Sequence, residues 1–154
     1  MRKAPSNPVD VITGSIRVLI AEDNPYLRKL IRNLLVNVGV KKIDEVTDGL
    51  SGFEAIKSLE PDIVILDWEL PLLNGHELAR IVRTPGMLAT PTLPIIMFGV
   101  SAERSRIAEA KRLGVNAYLT MPISAKALLD RIVAVFLNCE PGNTSRSANS
   151  MFMA

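Results

Sequence analysis

The sequence predicts an α/β fold, a doubly wound parallel sheet of five strands with helices on both faces. Short apolar segments alternate along the chain with segments that repeat apolar residues at helical spacing. The strand segments, Ile63-Val64-Ile65-Leu66 above all, are apolar without alternation, as strands covered on both faces are. No internal repeat interrupts the series, and right-handed crossovers leave it few topologies.

The elements follow in order. Residues 1–15 read as a flexible leader, because Pro5, Ser6, Asn7, Pro8, Gly14 and Ser15 break any regular pattern. Ile16 to Ala21 is the first strand. Asn24-Pro25 opens a helix, with a capping side chain and a proline at the first helical position. Leu27, Leu30, Ile31, Leu34, Leu35 and Val38 then form one helical stripe, closed by Gly39. Lys42 to Val46 reads as a short edge strand, and residues 50–59 as a second helix that Pro61 stops. After the strand 63–66 comes a helix from Gly75 to Arg83. Residues 84–93, with Pro85, Gly86 and Pro91, form a loop longer than the roughly two to six residues usual between helix and strand. Pro94 to Phe98 is the fourth strand, 102–113 the fourth helix, and 116–120 the fifth strand, which stops at Pro122. Ser124 caps a last helix striped by Ala125, Leu128, Leu129, Ile132, Val133 and Phe136. One domain over 16–137 is expected, followed by a disordered tail over 138–154.

Composition excludes several function classes. A hydrophobic fraction of 48% and a charged fraction of 22% describe an ordinary globular chain. A formal net charge of +2, with Lys and Arg scattered, gives no basic stripe for nucleic acid. The single Cys139 and the single His76 exclude an internal disulfide and a His- or Cys-rich metal site. No signal-peptide core and no stretch near the ~18 apolar residues of a membrane span is present, so a cytoplasmic setting is expected.

In such sheets ligands bind outside the carboxyl ends of the strands. Glu22 and Asp23 follow the first strand, Asp67, Trp68 and Glu69 the third, Gly99 the fourth, and Met121-Pro122 the fifth. Carboxylates gathered there repel one another and favour a hard divalent cation; Mg²⁺ suits a few carboxylates plus phosphate oxygens. A carboxylate beside such an ion can act as a nucleophile toward phosphorus.

The segments Val18-Leu19-Ile20-Ala21-Glu22-Asp23-Asn24, Ile63-Val64-Ile65-Leu66-Asp67-Trp68-Glu69-Leu70-Pro71, Pro94-Ile95-Ile96-Met97 and Ala117-Tyr118-Leu119-Thr120-Met121-Pro122 resemble bacterial response-regulator receiver domains of the chemotaxis type. They stand in that family's order and spacing. The resemblance implies a flavodoxin-like strand order 2-1-3-4-5 and a single-domain response regulator, a phosphoacceptor and not a turnover enzyme. It implies that Asp67 takes a phosphoryl group from a sensor histidine kinase or a histidine phosphotransfer protein. It also implies that Glu22, Asp23 and Asp67 hold Mg²⁺, with the backbone carbonyl of Glu69 as a further ligand. No DNA-binding domain follows, so output is expected to pass to a separate downstream protein. Homodimers through the fourth helix, fifth strand and fifth helix, or through the first and fifth helices, fit the same pattern.

The sequence departs from the family at two switch positions. Receivers usually carry Thr or Ser where this chain has Gly99, and Lys where it has Met121. Thr120 should face away from Met121, and Ser101 reaches the site only if its loop folds back. Tyr118 resembles the aromatic whose rotamer reports phosphorylation, or is a half-buried strand tyrosine. Trp68 and Leu70 read as packing or surface residues, His76 as an exposed residue opening a helix, and Cys139 as a spectator thiol. Gly49-Leu50-Ser51-Gly52 lacks the lysine of a phosphate loop. The departures leave a second reading, a degenerate receiver that binds partners without phosphorylation. A third reading, a haloacid-dehalogenase-like phosphatase, also uses an aspartate after a parallel strand, but its downstream lysine and second acidic pair are missing.

Overall fold

The computed structural model describes residues 7–137, so the tail expected over 138–154 and the first six residues of the leader lie outside it. Its order is α1 (Pro8–Ser15), β1 (Arg17–Ala21), α2 (Pro25–Asn37), β2 (Lys42–Val46), α3 (Gly49–Leu59), β3 (Ile63–Asp67), α4 (Gly75–Arg83), β4 (Ile95–Gly99), α5 (Arg104–Arg112), β5 (Ala117–Thr120) and α6 (Ala125–Leu137). The five strands form one parallel sheet in the order β2-β1-β3-β4-β5, as the resemblance implies. The expected boundaries hold to within about two residues.

Alternation along each strand divides the core. Val18 and Ile20 of β1, Ile63 and Ile65 of β3, Ile96 and Phe98 of β4, and Ala117 and Leu119 of β5 pack on one face, toward α2 and α6. Leu19, Ala21, Val64, Leu66, Ile95, Met97 and Tyr118 point to the other, under α3, α4 and α5. Each central strand is therefore apolar throughout because both its faces are covered.

The leader is corrected by the structure: residues 8–15 form α1. Asn7 caps it by accepting the Asp10 N–H at 2.9 Å, and Pro8 occupies the first helical turn. These residues are the same signal as Asn24-Pro25, where Asn24 Oδ1 accepts the N–H groups of Tyr26 and Leu27. Proline in that first turn sets the right backbone angle and forfeits no hydrogen bond, so Pro8 starts the helix and does not break it. Thr13 is buried beside Gly39, which takes φ +101°, and Ile12 packs on the α2–α6 core. α1 rests on α6, one of the helices a dimer through the first and fifth helices of the series would use. Among the described residues no helix is long and apolar enough to cross a membrane.

Candidate functional site

Sheet register brings the acidic residues together. β1 pairs with β3, Ala21 opposite Leu66, so the residues that follow each strand emerge side by side. One carboxylate oxygen from each of Glu22, Asp23 and Asp67 lies within 4.8 Å of the other two. They open on a cleft of about 380 Å³ that Asn24, Leu27, Glu69, Leu70 and Pro71 complete.

The three carboxylates are not equivalent. Asp23 is exposed and Asp67 half-buried, but Glu22 is only 1% exposed. The Glu22 backbone is fixed by β2, its N–H donating to the Val46 carbonyl at 3.1 Å, and Arg28 Nη1 donates to the Glu22 carbonyl at 3.0 Å. Its Oε1 accepts the Asn24 N–H at 2.8 Å, while its Oε2 is buried without a partner. Burial pushes the Glu22 carboxyl up to about 9, and the adjoining Asp67 carboxyl adds to that. Burial also raises Asp67, although Glu22 and the Glu69 N–H, donating to Asp67 Oδ1 at 3.2 Å, pull it down. A buried Glu22 oxygen without a partner, with two further carboxyl groups beside it, is what a hard cation satisfies.

The loop after β3 is built on glycines. Gly75 donates its N–H to the Trp68 carbonyl at 3.0 Å, and Gly49 donates to the Pro71 carbonyl at 3.2 Å. A Cβ at Gly75 would overlap the Asp67 carbonyl oxygen, and one at Gly49 would overlap the Leu73 carbonyl oxygen. Backbone cannot yield as a flexible side chain does. Gly75→Ala should therefore displace the loop from Asp67 and destabilise the protein by about 1–3 kcal/mol or more. Urea unfolding measures it; an unchanged midpoint would contradict the packing. The segment Gly49-Leu50-Ser51-Gly52 is a helix start, capped by Asp48, whose Oδ1 accepts the Ser51 N–H at 2.7 Å.

The switch positions take forms that the sequence does not foretell. Tyr118 is 1% exposed, pointing inward, and its hydroxyl donates to the Ser101 carbonyl at 2.8 Å. This replaces the half-buried alternative. A Cβ at Gly99 would lie 2.6 Å from the Tyr118 hydroxyl, so the tyrosine fills the space that a threonine would claim. Met121 packs against the α2–α6 core and lines a small cavity of about 60 Å³ with Asp67, Phe98 and Gly99. Ser101 does not fold back; its hydroxyl accepts the Glu103 N–H at 3.2 Å at the start of α5.

His76 is half-buried and not exposed as expected: its ring stacks on Trp68 at 5.0 Å between centroids and 27° between planes. The Tyr118 ring meets Trp68 edge-on at 6.1 Å, and Arg106 covers it at 5.1 Å. Trp68 is thus the centre of a packed cluster. Arg106 also reaches Glu69 Oε1 at 3.3 Å and lines the small cavity beside Asp67. Sequence reasoning misses it, since a lone arginine early in a charged helix carries no signal of where it points.

Residues 18–133 match the family described as the response regulator receiver domain. The chain belongs to that family. This receiver is 30% identical over 126 residues to the chemotaxis protein CheY-3 of Vibrio cholerae, covering 82% of this chain and 95% of that protein. It is 33% identical over 121 residues to the chemotaxis protein CheY of Pseudomonas aeruginosa, covering 79% and 96%. A Francisella response regulator receiver domain shares the fold, with a TM-score of 0.73 at 23% identity, covering 82% of this chain and all of that one. The receiver domain of a Pseudomonas aeruginosa sensor histidine kinase, with a magnesium ion coordinated in its active-site cleft, gives a TM-score of 0.68 at 26% identity, covering 80% and 98%. Receivers bind Mg²⁺ at an acidic pocket, and this one has such a pocket at Glu22, Asp23 and Asp67. Receivers serve two-component signalling.

Proposed function

We propose that this receiver accepts a phosphoryl group on Asp67 from a histidine kinase or a histidine phosphotransfer protein, and signals through contacts with a separate downstream protein. One observation carries the reading: Asp67 ends the central strand β3 with a carboxylate oxygen within 4.8 Å of those of Glu22 and Asp23. Glu22 and Asp23, with Asp67 and the Glu69 carbonyl, would hold Mg²⁺. When bound, Mg²⁺ neutralises the carboxylates and steadies charge on the transferring phosphoryl group.

An Asp67 carboxylate oxygen attacks the phosphorus of a phosphohistidine. The P–O bond forms as the P–N bond breaks; the electron pair leaves on the imidazole nitrogen, which takes up a proton, and an acyl phosphate remains. The Glu69 N–H, already on Asp67 Oδ1, orients the carboxylate for that attack.

The inward Tyr118, together with Gly99 and Met121, favours a second reading, a receiver whose binding surface stands ready without phosphorylation. One experiment separates the two. Incubation with a small phosphodonor and Mg²⁺ should add one hydroxylamine-sensitive acyl phosphate, and peptide mass mapping should place it on Asp67. Asp67→Ala should abolish it. Labelling retained in Asp67→Ala would overturn the assignment, and a wild-type protein that never labels would leave the binding module.

A further inference from the structure

We propose that Arg106 is the cation that grips the phosphoryl group in this receiver, in place of the lysine that Met121 replaces; the inference rests on Asp67 being the acceptor. Arg106 lies in the first turn of α5, with a side chain only 20% exposed that turns back over the sheet edge. Among the described residues that line the acidic cleft and its adjoining cavity, it is the one cation. In that cavity it faces Asp67, Gly99 and Met121.

Its present contacts, with Trp68, Glu69 and the Tyr118 hydroxyl, hold it beside the site. The guanidinium carbon lies 5.1 Å from the Trp68 ring centre, and Nη2 lies 3.3 Å from Glu69 Oε1. The Glu69 side chain is 73% exposed, so that ion pair is weak. A phosphoryl group on Asp67 would offer a denser charge deeper in the site, with oxygens that a planar guanidinium can bind in pairs. The stack on Trp68 sets the plane of the fork beforehand, which reduces the ordering cost of the new contact.

Gly99 lies beside both the guanidinium and the tyrosine. A Cβ there would stand 3.5 Å from Arg106 Nη1 and 2.6 Å from the Tyr118 hydroxyl. A side chain there would crowd the tyrosine and would touch the guanidinium at ordinary contact distance. The bare Gly99 and the Arg106 guanidinium thus border the same cavity beside Asp67, where α5 can supply a charge that β5 does not.

The experiment uses the single tryptophan, Trp68, as reporter. Its emission is followed while beryllofluoride is titrated at saturating Mg²⁺ into wild type, R106A, R106Q and R106K, with Mg²⁺ alone as a parallel titration. Wild type should bind the mimic with an emission change, because the guanidinium stacked on the ring takes on a new charge partner. R106A and R106Q should bind it roughly tenfold or more weakly, the lower end for a charge-assisted contact, while Mg²⁺ affinity does not fall. R106K should recover part of the loss. R106Q keeps a polar side chain in place, so its behaviour decides the matter if R106A fails to fold. Equal mimic affinity and equal emission change in wild type and R106Q would overturn the role of Arg106 alone, given that Asp67 labels. A wild type that neither labels on Asp67 nor binds the mimic would overturn both this inference and the acceptor reading.

Discussion

The affinity of the protein for Mg²⁺ should climb steeply between neutral pH and pH 9, and Glu22→Gln should flatten the climb. In the metal-free protein Glu22 sits at about 9, chiefly because burial penalises its charge and then because Asp67 adjoins it. At neutral pH it therefore keeps its proton. A cation bound by carboxylates must displace that proton, so affinity should rise by up to about tenfold per pH unit below the Glu22 value. Stability follows the opposite course without metal. The folded carboxyl binds its proton more tightly than the unfolded one, at about 9 against 4.5. The stabilisation this gives is complete below the unfolded value and is lost as pH rises toward 9. Mg²⁺ should offset the loss, so melting curves with and without the ion should diverge as pH rises. Calorimetry in two buffers of different ionisation heat counts the released proton directly. Glu22→Gln has no proton to release, and should bind Mg²⁺ more weakly, by at least the ~10-fold that even supporting groups cost, with little pH dependence. Wild-type affinity that stays flat from neutral pH to pH 9 would contradict the buried, protonated Glu22.

The acid pair after β1 and the acid ending β3 are legible in the sequence because their placement needs only strand ends and a parallel sheet. Ile63 to Leu66 is apolar throughout, which demands cover on both faces and puts Asp67 at the rim. What escapes the sequence depends on contacts between elements far apart in the chain. Arg106 meets Trp68 and Glu69 across more than thirty positions, and no local pattern marks that meeting. Gly75 reads as a helix start, but its importance lies in the Asp67 carbonyl oxygen that a side chain would strike. Tyr118 stays open between two readings because its rotamer is set by the space over Gly99, which belongs to the neighbouring strand. α1 is hidden for a different reason: Asn7-Pro8 is a good helix start, but the prolines and glycine around it resemble a loop.

Replacing Gly99 with threonine should drive Tyr118 out of the protein. The Tyr118 hydroxyl lies 2.6 Å from where the new Cβ would stand, closer than real Cβ contacts come. The ring is stiff, so it cannot relieve the clash by bending; it must turn outward. Turning breaks its bond to the Ser101 carbonyl and empties its place under α5. The variant should lose about 1–3 kcal/mol, the range for a core forced to accept an extra group. Gly99→Thr with Met121→Lys restores the hydroxyl and the ammonium that receivers usually carry. In that double variant an outward Tyr118 has somewhere to go on phosphorylation, because the introduced threonine can move toward the phosphoryl group and vacate the ring's site. Beryllofluoride should then shift amide resonances broadly over residues 99–121. In wild type, where Tyr118 already lies inward, the same addition should shift few of them beyond the cavity lined by Asp67, Gly99, Arg106 and Met121. Tyrosine accessibility and amide spectra of the three proteins decide it. A Gly99→Thr protein with Tyr118 still buried would show that the strand yields where the ring was expected to. A wild type that rearranges as widely as the double variant would show that the inward ring does not hold the switch closed.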